Sequence, residues 1–166
     1  MSGGACFVPL ARFADLIATD LAPWVEKEYH LSADPRRNVI AGLSAGGFAA
    51  AYVALRHPER FGNVLSQSGA FWWAPKVDQG EERGWLAREY IAAPRHELRF
   101  YLEAGLFEND IQGVGGQILE HNRHLRDVLR AKGYEVIYSE YPGGHDRMNW
   151  RGSFANGLVS LVGSPL

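Results

Sequence analysis

The sequence predicts an α/β protein: a mostly parallel sheet with helices on both faces, stacked in three layers. Two observations carry this. From residue 38 onward, short apolar runs alternate with runs of helical period. Gly and Pro mark the boundaries at regular intervals, with no internal repeat or low-complexity stretch. The 166 residues suffice for one domain with its own core, read as spanning 1–166.

Taken in order, Leu10 to Tyr29 reads as a helix, because Phe13, Leu16, Ile17, Leu21, Trp24 and Val25 recur at three and four. Pro23 is expected to kink or split it. Asn38 to Gly42 reads as a short buried strand. Ala45 to Arg56 reads as a helix that stops near His57-Pro58. Asn63 to Ser68 is a second strand and Glu81 to Ala92 a weaker helix. Leu98 to Ala104 is a third strand, and Gln117 to Lys132 a helix stopped by Gly133. Glu135 to Tyr141 is a fourth strand and Trp150 to Val162 a last helix. In parallel sheets the reacting groups sit in loops at the carboxyl ends of strands.

Composition narrows the function classes. The formal net charge is -2, which argues against non-specific nucleic-acid binding. Cys6 is the single cysteine, so an internal disulfide and a cysteine-rich zinc site are excluded. No run approaches the roughly 18 apolar residues of a membrane span. The start of the chain lacks the pattern of a signal peptide.

Gly42-Leu43-Ser44-Ala45-Gly46 matches G-x-S-x-G between an expected strand and an expected helix. A strand that turns abruptly into a helix strains the serine and crowds the residues two before and two after it, so small side chains are expected at both. Ser44 is therefore the candidate nucleophile, and the Ala45 N–H at the helix start a candidate oxyanion donor. A hydroxyl needs a base. Of six histidines, His30 and His57 read as surface residues near helix ends. His96 lies at the wrong end of a strand, and His121 and His124 on a polar helix face. His145 follows the fourth strand, on a loop that Gly143 and Gly144 are expected to let turn sharply. The imidazole then needs a carboxylate. Glu103 falls at the end of the third strand, and Glu108 and Asp110 in the loop beyond it. Glu108 is favoured and Asp110 is next; spacing barely separates them. Serine, acid, histidine is the chain order of α/β-hydrolases.

These pieces resemble the enterochelin (enterobactin) esterases, within the larger esterase family of α/β-hydrolases. The resemblance rests on Asp20-Leu21-Ala22-Pro23-Trp24-Val25, the GLSAGG turn, His57-Pro58-Glu59-Arg60-Phe61, and Leu65-Ser66-Gln67-Ser68-Gly69 followed by Phe71-Trp72-Trp73. It continues through Leu102-Glu103-Ala104-Gly105 with Glu108, and Gly143-Gly144-His145-Asp146 followed by Trp150-Arg151. It implies a cytoplasmic serine esterase that cleaves the ester bonds of a ferric catecholate siderophore and releases its iron. Ser44 would be the nucleophile, His145 the base and Glu108 the acid, with no cofactor. Trp72 and Trp73 either stack on catechol rings or belong to the core. Arg147 and Arg151 would meet an anionic substrate, unless Arg151 pins the last helix. Two rival readings are a feruloyl or general carboxylesterase of the same fold, and an inactive binding fragment.

The resemblance also implies strands ahead of Val39, including the loop that supplies a second oxyanion donor. The chain thus reads as the carboxyl-terminal portion of a hydrolase domain. Gly3 and Gly4 are possible substitutes for that donor. The strand from Asn38 is then expected to have an open, apolar edge, a route to a homo-oligomer or to aggregation.

Overall fold

The computed structural model describes residues 8–29, 32–75, 80, 82–108 and 117–163. The amino-terminal helical stretch is interrupted. Helix α1 covers Val8–Asp15, a π-helical segment covers Leu16–Leu21, and α2 covers Ala22–Tyr29. The Ala22 amide bonds the Ile17 carbonyl, five residues back. This wide turn lies just ahead of Pro23, which has no N–H to give and whose ring crowds the preceding turn. The expected kink is realised as a π segment.

Among the described residues the sheet has four strands: β1 Val39–Leu43, β2 Asn63–Gln67, β3 Arg99–Gly105 and β4 Glu135–Tyr141. Their order is β1-β2-β3-β4 and every pair is parallel. The register sets Gly42 beside Ser66, and Gln67 beside Glu103. Helices α3 Ala45–Arg56, α4 Trp85–Ala92 and α5 Ile118–Ala131 are the crossovers, and α6 Arg147–Val162 follows β4.

A sequential strand order with crossovers of one hand puts the crossover helices on one face. Val64, Phe100 and Leu102 accordingly share a core with Ala14, Val53, Leu86 and Leu125. On the other face Leu65 and Tyr101 pack with Leu161 of α6. Three layers are present, and among the described residues α6 alone forms one of them. The two cores leave β2 buried along its whole length.

The ends of α3 are tied down differently. At its carboxyl end His57 is largely buried, with Nε2 3.0 Å from Asp15 Oδ1 and Nδ1 3.0 Å from Glu59 Oε1. The reading of His57 as a surface residue is corrected: it joins α3 to α1. The hydrogen bond with His57, with the Arg56 guanidinium nearby, holds the Asp15 carboxyl below its ordinary range against the opposing effect of burial.

β1 is an edge strand, and Ala41 and Leu43 are exposed on it. A groove of about 570 Å³ runs beside it, lined by Ile17, Leu21, Val25, Ile40 and Phe61 among others. The apolar open edge expected for this strand is present among the described residues. No helix among them is long and apolar enough to cross a membrane.

Candidate active site

Ser44 occupies the junction of β1 and α3, with φ 55° and ψ -121°. Only Ser44 and Ser68 among the described non-glycine residues have positive φ. Such a backbone costs on the order of 1–3 kcal/mol and persists only where its surroundings enforce it. They do so here through backbone bonds to the end of β2. The Ser44 N–H donates to Gln67 O at 2.9 Å, and Ser44 O accepts from Ala70 N at 3.0 Å.

The steric demands of the turn differ from the sequence expectation. A Cβ on Gly42 would stand 2.2 Å from the Gly46 carbonyl oxygen, so this position must stay bare. A Cβ on Gly46 would meet nothing within 4 Å. The second crowded position is Gly47, where a Cβ would stand 2.4 Å from Ser66 Oγ. The close approach is that of α3 onto the end of β2, so the demand falls one residue later than expected. Ala45 opens α3, where the first amides have no intrahelical acceptor.

His145 arrives from the far side of the sheet. Its Nε2 lies 2.9 Å from Ser44 Oγ. Its Nδ1 lies 3.4 Å from Glu108 Oε1, within ion-pair range but not aligned as a hydrogen bond. Glu108 is fully buried. The acid loop and the histidine loop are laced together: Leu106 N–H donates to Tyr141 O at 2.9 Å, and Phe107 N–H to Gly143 O at 3.0 Å. A Cβ on Gly105 would stand 2.3 Å from that Gly143 oxygen, so a bare Gly105 permits the lacing. Neither Gly143 nor Gly144 has positive φ; a Cβ on Gly143 would stand 2.5 Å from Asn149 Nδ2, whereas one on Gly144 would meet nothing within 4 Å.

The carboxylates now separate. Glu103 is buried but turned to α6, where it accepts from Gln67 Nε2 at 2.8 Å, from Ser153 Oγ, and from the Tyr101 hydroxyl at 3.2 Å. Burial, then the Glu103 charge, pushes the Tyr101 phenol up to about 12. Glu108 is the carboxylate that meets His145. Asp110, Gly3 and Gly4 lie outside the described residues.

Several supporting residues escaped sequence reasoning. Asp146 caps α6, its Oδ1 accepting from Met148 N at 2.9 Å and Asn149 N at 3.1 Å. His145 is then the residue before the cap and Trp150 the fourth helical residue, the positions of a hydrophobic staple. Their rings meet edge to face, centroids 4.6 Å apart at 87°. The cap begins α6 at Arg147, three residues before the periodic run; an Asp just ahead of a helix was the available signal. Ser68 and Tyr141 contact Glu108 directly, and no local pattern announces them.

The four proposed binding residues fare differently. Trp73 packs into an aromatic group, 5.2 Å from Phe48 and 6.3 Å from Trp85. Trp72 is partly exposed, with the Arg83 guanidinium 5.8 Å from its ring. Arg147 and Arg151 are exposed, one turn apart on α6. His121 is half-buried beside Gly84; burial, with His124 and Arg83 nearby, holds its imidazole below the ordinary range.

Known proteins share this arrangement of chain. An iron(III) enterobactin esterase of Dickeya dadantii is 36% identical over 161 residues, covering 92% of this chain and 35% of its own. The Escherichia coli K12 protein of the same name is 35% identical over 153 residues, covering 91% and 36%. A crystal structure of an enterobactin esterase from Shigella flexneri, with 2,3-dihydroxy-N-benzoyl-glycine present, superposes with a TM-score of 0.80 at 35% identity. The match covers 95% of this chain and 40% of that one. The chain thus spans about a third of the length of the curated relatives it matches. The model of the family described as Putative esterase matches residues 10–161, and the chain belongs to that family of α/β-hydrolases.

Proposed function

We propose that this chain carries the catalytic triad of a serine esterase acting on the ester bonds of a catecholate siderophore of the enterobactin type. The observation that carries the reading is the 2.9 Å contact between Ser44 Oγ and His145 Nε2, on a serine held at positive φ. The relatives named iron(III) enterobactin esterase support the substrate class.

In this reading His145 takes the Ser44 proton as Oγ attacks the ester carbonyl. Glu108 keeps Nδ1–H as the outer proton of the ring and stabilises the imidazolium. The Ala45 N–H, at the positive end of α3, donates to the oxyanion. His145 returns the proton to the leaving serine hydroxyl of the substrate. Water, deprotonated by the same imidazole, then clears the acyl-enzyme. Iron is cargo of the substrate, and its release follows from cutting the backbone that joins the catechols. Trp72 offers a face for a catechol ring, and the exposed Arg147 and Arg151 offer positive charge.

The test is hydrolysis of ferric enterobactin and of a feruloyl ester, followed by product chromatography. Dihydroxybenzoyl-serine release by the chain, abolished in Ser44→Ala, is expected. Cleavage of the feruloyl ester alone would move the reading to a general carboxylesterase. No turnover of either ester above buffer would sink it.

A further inference from the structure

We infer that Ser68, the second strained serine, positions the acid of the triad. The inference rests on the reading of Ser44, His145 and Glu108 as that triad. Ser68 directly follows β2 and is fully buried, with φ 51°. Its N–H still bonds the Glu103 carbonyl at 2.7 Å, so its backbone leaves the sheet only after that bond. Three polar groups surround its Oγ. Glu108 Oε1 lies at 2.8 Å, Trp150 Nε1 at 2.8 Å and the Tyr141 hydroxyl at 3.1 Å.

Counting protons gives these bonds a direction. An indole N–H can only donate, so Ser68 Oγ accepts from Trp150. A carboxylate can only accept, so the single Ser68 proton goes to Glu108. Tyr141 must then donate, to Ser68 Oγ or to Glu108 Oε1, which lies 3.3 Å away. Burial, opposed by the Ser68 hydrogen bond, pushes the Tyr141 phenol up to about 12, so it keeps its proton for this role. Trp150 feeds Ser68, Ser68 feeds the carboxylate, and the Tyr141 proton reaches one or the other of them. Bonds aligned this way reinforce one another.

The other Glu108 oxygen, Oε2, is buried with no hydrogen-bond partner among the described residues. Among the described residues the hydrogen bonds that orient the carboxylate all reach Oε1, from Ser68 and more distantly from Tyr141. Trp150 ties the same hub to the base, since its ring also carries the edge contact to His145. Ser68 is the atom-level junction between the support of the acid and the support of the base. Its strained backbone is what aims the hydroxyl at Glu108 rather than along the strand.

The test compares Ser68→Gly, Ser68→Cys, Glu108→Ala and Ser68→Gly/Glu108→Ala with the full chain. Glycine accepts the positive φ and removes the CH2OH side chain; cysteine keeps a weak donor of similar shape. Readouts are p-nitrophenyl ester turnover and labelling of Ser44 by a fluorophosphonate, with circular dichroism to check the fold. Ser68→Gly is expected to lower kcat by about 10- to 100-fold with KM unchanged, and Ser68→Cys by less. In the Glu108→Ala background, Ser68→Gly should have no further effect. Wild-type kcat in Ser68→Gly overturns the assignment, and so does an equal loss with and without Glu108. A parent chain that neither turns over ester nor labels at Ser44 overturns the triad reading itself, and the assignment with it.

Discussion

His145 stands edge-on against Trp150, ring centroids 4.6 Å apart at 87°. The two residues bracket the Asp146 cap of α6, so the start of a helix fixes the plane of the imidazole. A staple usually joins two apolar side chains. Here one of them is the candidate base, so the energy of forming α6 also orients the ring toward Ser44.

Trp150→Phe should separate the two duties of this indole. Phenylalanine keeps an aromatic edge against His145 but cannot donate to Ser68. We expect a loss of about 1 kcal/mol of stability and a lower kcat with little change in KM. Trp150→Ala removes both duties and should cost about 3–5 kcal/mol. Urea denaturation and steady-state ester hydrolysis check both; a Trp150→Ala chain with parental kcat would show that the ring does not orient His145.

The glycines of the turn give a second prediction. Gly42→Ala should destabilise the fold severely, because its Cβ would lie 2.2 Å from a backbone oxygen that is fixed by α3. Gly46→Ala should not, since its Cβ meets open space. The alanine should instead add about 0.5–1 kcal/mol by its better helix propensity. Thermal melts of the two variants decide this, and equal destabilisation by both would contradict the geometry.

The contrast shows how much was legible in the sequence. G-x-S-x-G was readable because it sat between a run of strand character and a run of helix character. His145 was readable because it followed a strand end. Glu108 is favoured over Asp110 in the sequence on a spacing that barely separates them, and its place depends on the lacing of that loop onto Gly143. The π segment was visible only as a proline in a helical run. Ser68 and Trp150 were quoted as parts of motifs without a role. Their bond spans 82 residues of sequence, and no periodicity records it. Which of Gly46 and Gly47 is crowded depends on how closely α3 meets β2, which is a packing fact.

Buried tyrosines give a pH prediction. Burial is the leading cause that pushes Tyr101 and Tyr141 each up to about 12, against about 10 when unfolded. Between those values the unfolded chain has lost protons that the folded chain retains. Stability is therefore full below about pH 10 and falls as pH rises towards about 12. The slope of denaturation midpoint against pH in this window should be steep. It should flatten in part in Tyr101→Phe, which removes one of several protons at issue, since burial also pushes the Tyr90 and Tyr138 phenols up. An unchanged slope in that variant would place the alkaline transition elsewhere.

The free edge of β1 supplies the last prediction. Alternate residues of the five in β1 turn their backbone outward there, Ala41 and Leu43 are exposed, and a groove lined mostly by apolar side chains lies alongside. Unpaired strand groups beside apolar surface recruit another strand, and natural edges avoid this with short length or with lysine. β1 is five residues long, no lysine falls within Val39–Leu43, and among the described residues its outer side is unpaired. We expect sedimentation velocity to show mass rising with concentration. Ala41→Lys places a charge on the exposed edge without touching Ser44, and should return the chain to a monomer. A parent chain that stays monomeric at high concentration would mean that this edge does not recruit a second copy.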